Sequence, residues 1–180
     1  MKLNSLQHLQ RAWLAKGDNI DETFKRVTNV LIEQIDSLSN LASEFSSFSK
    51  MPDPVVEQLE MNDLLQLVAH LYEDTENLFV RFHRLDKEIR VSADRDQLSR
   101  VFKNIVTNAI QAVPDDVEGR IDIAIKVENE NVIVSITDNG KGIPMEQANK
   151  VFIPSFSTKS SGMGLGLAIS KKIIESFGGK

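Results

Sequence analysis

Asp94-Arg95-Asp96-Gln97-Leu98-Ser99-Arg100-Val101-Phe102-Lys103-Asn104-Ile105-Val106-Thr107-Asn108-Ala109-Ile110-Gln111-Ala112-Val113-Pro114 is the stretch on which the reading of this chain turns. Asp94 is a helix-capping residue type. Leu98, Val101, Phe102, Ile105, Ala109, Ile110 and Val113 follow at steps of one, three or four that lay them on one side of a helix, and Pro114 stops it. Asn104 and Asn108 stand four apart, so they share a face off that apolar side. Two carboxamides placed together can ligate a hard cation or hydrogen-bond phosphate oxygens. Taken alone, such a pair is a weak signal, since asparagine pairs on exposed helix faces are usually just solvated.

Downstream, Arg120 to Val127 and Val132 to Thr137 alternate as paired strands, with Asn129-Glu130-Asn131 as the turn between them. The second of these strands, read as buried, runs into Asp138-Asn139-Gly140-Lys141-Gly142-Ile143-Pro144. An aspartate at a strand end can accept from an exocyclic amine, and the glycines let backbone approach a flat ring. A plain strand-to-loop turn has the same composition. Val151-Phe152-Ile153-Pro154-Ser155-Phe156-Ser157-Thr158-Lys159-Ser160 then reads as a lid, anchored by Phe152 and Phe156 and able to present Lys159 to a phosphate. Ser161-Gly162-Met163-Gly164-Leu165-Gly166-Leu167-Ala168-Ile169 opens a last helix near Gly164. Glycines that bare backbone N–H groups at a helix start favour an anion. A dinucleotide-binding loop would need a preceding strand and a later acidic residue, and a Walker-type loop would need Gly-Lys-Ser or Gly-Lys-Thr. Neither pattern is present.

Upstream, Asn77 to Arg84 and Glu88 to Ser92 read as short strands, and Asn62 or Asp63 can cap a helix reaching about Tyr72. Met51-Pro52-Asp53-Pro54 is the expected boundary, because each proline disfavours helix at the residue before it. Residues 1–51 are then a helical hairpin and residues 52–180 an α/β domain. Phe24, Val27, Leu31, Ile35, Leu38, Ala42, Phe45 and Phe48 recur at helical spacing, Leu3, Leu6, Leu9 and Trp13 do so on a shorter stretch, and Lys16-Gly17-Asp18-Asn19 turns between them. One apolar seam buries too little to stand alone, so a second copy is expected, giving a homodimeric four-helix bundle. The fold class is α+β: a helical hairpin followed by a sandwich with helices on one face of a mixed, largely antiparallel sheet.

The composition narrows the partners. Of 180 residues, 41% are hydrophobic and 26% charged, which is ordinary for a globular protein. The net charge of −5, from 21 basic and 26 acidic residues without a basic cluster, argues against nucleic acid. There is no cysteine, which removes disulfides, thiolate catalysis and cysteine-bound zinc and fits a cytoplasmic setting. The longest apolar runs, such as Val132 to Ile136, fall far below the roughly 20 residues that span a bilayer, so no membrane contact is expected. The first residues read as a helix entered part-way along, as in a piece of a larger protein.

In order and spacing, the four segments around Asn108, Asp138, Phe156 and Gly164 resemble the N, G1, F and G2 boxes of the histidine-kinase branch of the GHKL ATPase superfamily. Phe45-Ser46-Ser47-Phe48-Ser49-Lys50-Met51-Pro52 and Asn108-Ala109-Ile110-Gln111-Ala112 resemble the nitrogen-regulation sensor kinases of the NtrY type. The resemblance implies a GHKL-type sandwich that binds ATP and Mg²⁺. It implies that Asn108 ligates Mg²⁺ with Asn104 beside it, that Asp138 pairs with the adenine amine, and that Gly140, Gly142 and Ile143 belong to the base pocket. Phe156 and Lys159 would act from the lid, Gly162, Gly164 and Gly166 would wrap the phosphates, and Leu165 and Leu167 would anchor the last helix.

Within the superfamily, the gyrase-like ATPases carry a glutamate that activates water where this chain has Asn104. An amide cannot take a proton at neutral pH, so transfer to another acceptor is favoured over hydrolysis. The family's phosphoacceptor lies in a His-Glu or His-Asp motif. His8-Leu9, His70-Leu71 and His83-Arg84 do not match it, and the acceptor is expected outside this chain. The expected function is therefore that of the catalytic region of a two-component protein histidine kinase, not labelling itself. A response-regulator receiver domain would partner the parent, which can be anchored in the inner membrane. The alternative is an ATP-gated binding and dimerisation module without transfer. Family members continue past Gly179 into a closing pair of strands, so the domain reads as C-terminally truncated.

Overall fold

A computed structural model describes residues 24–32, 35, 53–157 and 164–180. The chain divides into two units, Met1–Lys50 and Met51–Lys180. In the first, residues 24–32 are helical, with Val27 buried, Leu31 half-buried and Phe24 and Ile35 exposed. The rest of the expected hairpin, including the Lys16-Gly17-Asp18-Asn19 turn and His8, lies outside the described residues.

The second unit runs β1 (Glu57–Glu60), α1 (Met61–His70), β2 (Leu78–His83), β3 (Arg90–Ala93), α2 (Arg95–Ile110), β4 (Gly119–Glu128), β5 (Asn131–Asp138), α3 (Met145–Ala148) and α4 (Gly166–Ser176). β1 pairs antiparallel with β3, joining Leu59 to Val91. A separate sheet has the order β2-β4-β5, parallel between β2 and β4 and antiparallel between β4 and β5. The mixed sheet expected from the sequence is therefore present, with the β1–β3 ladder set apart from it.

Alternation on β4 builds the core. Ile121, Ile123 and Ile125 are buried on one side, while Arg120, Asp122 and Lys126 are exposed on the other. On the covered side lie Leu64, Leu65 and Val68 of α1 and Leu98, Val101, Phe102 and Val106 of α2, all buried. The helices thus occupy one face of the sheet. β5 departs from expectation: it is an edge strand, and Val132, Val134 and Ile136 are only half-buried because nothing among the described residues pairs with its outer side.

Local chemistry sets the ends. Asp94 caps α2, its Oδ1 accepting from Gln97 N at 2.9 Å while Oδ2 accepts from Val55 N at 2.7 Å. The bond from Gln97, outweighing burial, holds its carboxyl below the usual carboxylate range. Helix α1 is capped by Glu60, earlier than Asn62 or Asp63 would place it, through Oε2 accepting from Asp63 N at 2.7 Å. Asn62 is instead buried at 1% exposure and used as a brace, donating to Lys87 O and accepting from Leu85 N. The β4–β5 turn is tighter than read: Asn129 and Glu130 form it, at φ 46° and 66°, and Asn131 already belongs to the strand. Helix α4 starts at Gly166, two residues after Gly164.

Candidate functional site

The carboxamides of Asn104 and Asn108 meet on α2, where Asn108 Nδ2 donates to Asn104 Oδ1 at 3.4 Å. The pair lies on the flank of the helix that α4 packs against. Contact there is close because Gly166 has no side chain: a Cβ at that position would overlap the Asn104 amide. Asn104 Nδ2 also donates to Ser170 Oγ at 2.9 Å, one turn further along α4. The first and last of the four sequence segments are thus joined directly.

Leu165 stands at the N-cap of α4, and among the described residues no side-chain cap hydrogen bond is made there. Gly164 precedes it at φ 66°, a conformation that disfavours side chains, and its backbone passes so near that of Phe156 that a Cβ would collide with it. Leu165 and Leu167 are half-buried, as is Phe156. Phe152 is not an interior anchor: it is exposed, and the Lys171 ammonium lies 5.6 Å from its ring centroid. Lys159 and Gly162 lie outside the described residues.

Just past the C-terminal end of α2 the Asp138 loop is docked. Lys141 N donates to Ala112 O at 3.0 Å, and a Cβ on Gly140 would fall 2.6 Å from that carbonyl. Asn139 closes the base of the loop, accepting from Arg120 N at 2.8 Å and donating to Glu118 O at 2.9 Å. Asp138 is exposed at the end of β5, with Oδ1 accepting from Gly140 N at 2.9 Å, which fixes the direction of the carboxylate. Gly142, at φ 68°, and Ile143 are exposed beyond it. Helix α2 therefore carries the loop of Asp138 at one end and meets α4 along its flank.

Two histidines form surface pairs: His70 with Glu73 at 2.6 Å and His83 with Asp122 at 2.8 Å. Among the described residues no helix is long and apolar enough to cross a membrane. Sequence reading misses Ser170 and the cluster of Glu60 and Asn62. A serine between Ile169 and Ile173 on the apolar side of α4 is the available signal for the first.

Residues 93–180 match the family described as Histidine kinase-, DNA gyrase B-, and HSP90-like ATPase. The chain is 35% identical over 180 residues to nitrogen regulation protein NtrY of Azorhizobium caulinodans, an alignment covering 97% of this chain and 23% of that protein. It is 34% identical over 158 residues to sensor histidine kinase ZraS of Escherichia coli K12, covering 86% and 33%. The chain thus spans about a quarter to a third of the length of these curated relatives. Among solved structures, a nucleotide-free catalytic domain of histidine kinase ThkA superposes with a TM-score of 0.61 at 36% identity, covering 68% of this chain and 81% of that one. ThkA in complex with response regulator protein TrrA gives 0.71 at 29% identity, covering 98% and 52%.

Proposed function

Since the chain belongs to the family of histidine kinase-, DNA gyrase B- and HSP90-like ATPases, in its sensor histidine kinase branch, we propose that its second unit binds ATP with Mg²⁺ and passes the γ-phosphoryl group to a histidine other than its own three. The observation that carries this is the packing of a glycine-led helix start onto the Asn104–Asn108 flank of α2. A helix start whose backbone N–H groups suit an anion and a carboxamide pair of a type that suits a hard cation then lie side by side, and together they make up the kind of donor set a metal-bound triphosphate requires.

ATP supplies the transferable phosphoryl group and Mg²⁺ neutralises charge on it. The residues bind and orient. Asn108 offers its oxygen to the cation with Asn104 alongside, and the amides of Gly164 to Gly166 receive phosphate oxygens, with Gly162 and Lys159 completing the lid side. Asp138, directed by Gly140, accepts from the adenine amine, with Gly142 and Ile143 beside the ring. No side chain here forms a covalent intermediate, and Asn104 offers no base for water, so rate enhancement comes from positioning and charge stabilisation.

The histidines present do not serve as acceptors in this reading: His70 and His83 belong to the nucleotide-binding unit itself and are followed by Leu71 and Arg84, and Leu9 follows His8 where the family has an acid. A homodimer through the helical unit and a response-regulator partner in the parent protein complete the proposal. The complex of ThkA with TrrA supports the second.

Labelled ATP and Mg²⁺ incubated with the chain, with and without a hairpin bearing a His-Glu motif, test it. Nucleotide binding and acid-labile, base-stable phosphate on the hairpin alone are expected. Binding without transfer would leave an ATP-gated binding module, and stoichiometric label on His8, His70 or His83 would overturn the claim about the acceptor.

A further inference from the structure

Asn139-Gly140 is the only Asn-Gly step in the sequence. Asparagine before glycine is the pair most open to deamidation, because no side chain obstructs the glycine nitrogen as it approaches the carboxamide carbon. The fold has a use for both residues. A Cβ at 140 would fall 2.6 Å from the Ala112 carbonyl, so the docked loop favours glycine there. Asn139 braces the backbone on either side of Gly119: Oδ1 accepts from Arg120 N at 2.8 Å and Nδ2 donates to Glu118 O at 2.9 Å. Both partners are backbone groups of fixed polarity, so the amide has one orientation.

Deamidation forms a bond from Gly140 N to Asn139 Cγ and expels Nδ2 as ammonia, which carries away the Gly140 amide proton. Water then opens the cyclic imide to aspartate or isoaspartate. The Gly140 nitrogen must give up its proton to attack. In the fold that N–H donates to Asp138 Oδ1 at 2.9 Å, and a carboxylate beside it opposes the negative charge of the deprotonated nitrogen. Ring closure also needs an eclipsed turn of the Asn139 side chain, which its two hydrogen bonds to backbone resist. Asn139 is exposed, so the hydrogen bonds and not burial provide the protection.

We propose that Asn139 is a deamidation site that the fold holds closed, and that its conversion to an acid releases the Asp138 loop from α2. An acid at 139 keeps an acceptor for Arg120 N but sets its second oxygen against Glu118 O, beside the carboxylate of Asp138. Isoaspartate adds a carbon to the backbone at the same point. Neither step depends on nucleotide.

The test uses the full chain, incubated at mildly alkaline pH with and without guanidinium chloride, and peptide mapping by mass spectrometry. Conversion at Asn139 is expected to be at least about tenfold slower in the folded chain, the effect of two or three hydrogen bonds of ordinary net strength. Folded Asp138→Ala, which removes the acceptor of the Gly140 N–H, is expected to convert faster than folded wild type. Equal rates in the folded and unfolded chain, or no acceleration in Asp138→Ala, overturn the proposal. The first comparison needs no variant, so it decides even where a substitution prevents folding. Amide exchange at Lys141 N, which donates to Ala112 O, reads the second half. It should be about tenfold faster in Asn139→Asp than in wild type, and unchanged exchange would mean that the acid leaves the loop docked and the proposal fails. Wild type aged to partial conversion gives the same readout where Asn139→Asp does not fold.

Discussion

The carboxylate of Glu60 accepts from Ile89 N at 3.0 Å through Oε1 while its Oε2 accepts from Asp63 N, so one side chain both caps α1 and pins the loop that leads into β3. Asn62 Nδ2 donates to the same Oε1 at 2.9 Å. Burial opposes the charge, but these donors prevail and bring the Glu60 pKa to about 2.

Stability should follow that carboxylate. A group whose pKa is depressed on folding stabilises above its unfolded value, and the contribution disappears as pH falls through the folded one. Here the window runs from 4.5 down to about 2. Glu60→Gln is expected to lose about 1–3 kcal/mol at neutral pH. In urea titrations the gap to wild type should close progressively toward pH 2; a gap independent of pH would refute the assignment.

Gly140→Ala should damage the loop of Asp138 without touching a charge. The added carbon has no room beside the Ala112 carbonyl, which is backbone and cannot rotate away. We expect a stability loss of about 1–3 kcal/mol and a weaker affinity for ATP. Unaltered unfolding and binding would mean that the loop is not docked on α2 in solution.

Asp138→Ala is expected to abolish discrimination between ATP and GTP. Gly140 N holds the carboxylate in one direction, so wild type should meet the base with an acceptor already in place. Loss of one charge-assisted hydrogen bond corresponds to about 1.5–3 kcal/mol, an effect calorimetry resolves readily. Equal affinities for the two nucleotides in wild type would dismiss the role.

Phe24 and Ile35 are 55% and 63% exposed in the single chain although both belong to the apolar seam. A charge at either should therefore be tolerated by the monomer and resisted by a dimer. Light scattering at micromolar concentration should show a dimer for wild type and a monomer for Phe24→Glu with Ile35→Glu, with helix content retained. A wild-type monomer would count against the bundle.

Much of the fold is legible because periodicity and capping act locally. Helix α2 declares itself through Asp94 and its apolar stripe, and the β4–β5 pair through alternation and the Asn129-Glu130 turn. β1 is hidden because Glu-Gln-Leu-Glu offers one apolar residue, and Leu59 is buried by a partner strand distant in sequence. Glu60 does not look like a cap because its longer side chain is an uncommon choice there, made workable by Asn62 and Ile89. In the site, the motifs name the residues of each segment, but the meeting of Asn104 with Gly166 and Ser170 joins parts 62 and 66 positions apart, and no local pattern encodes it.

The sheet order β2-β4-β5 dictates an order of assembly. β4 and β5 are joined by a two-residue turn and can zip at once, whereas β2 reaches β4 in parallel only after β3 and the whole of α2 have been laid across. The helix bearing Asn104 and Asn108 is thus the crossover of a long-range pairing, and the slowest step of folding should be the one that seats it. Pulse-labelled amides of β4 and β5 should gain protection before those of β2; the reverse sequence would contradict this. A nucleotide that grips α2 would then act on the chain as it folds, favouring the last piece to arrive.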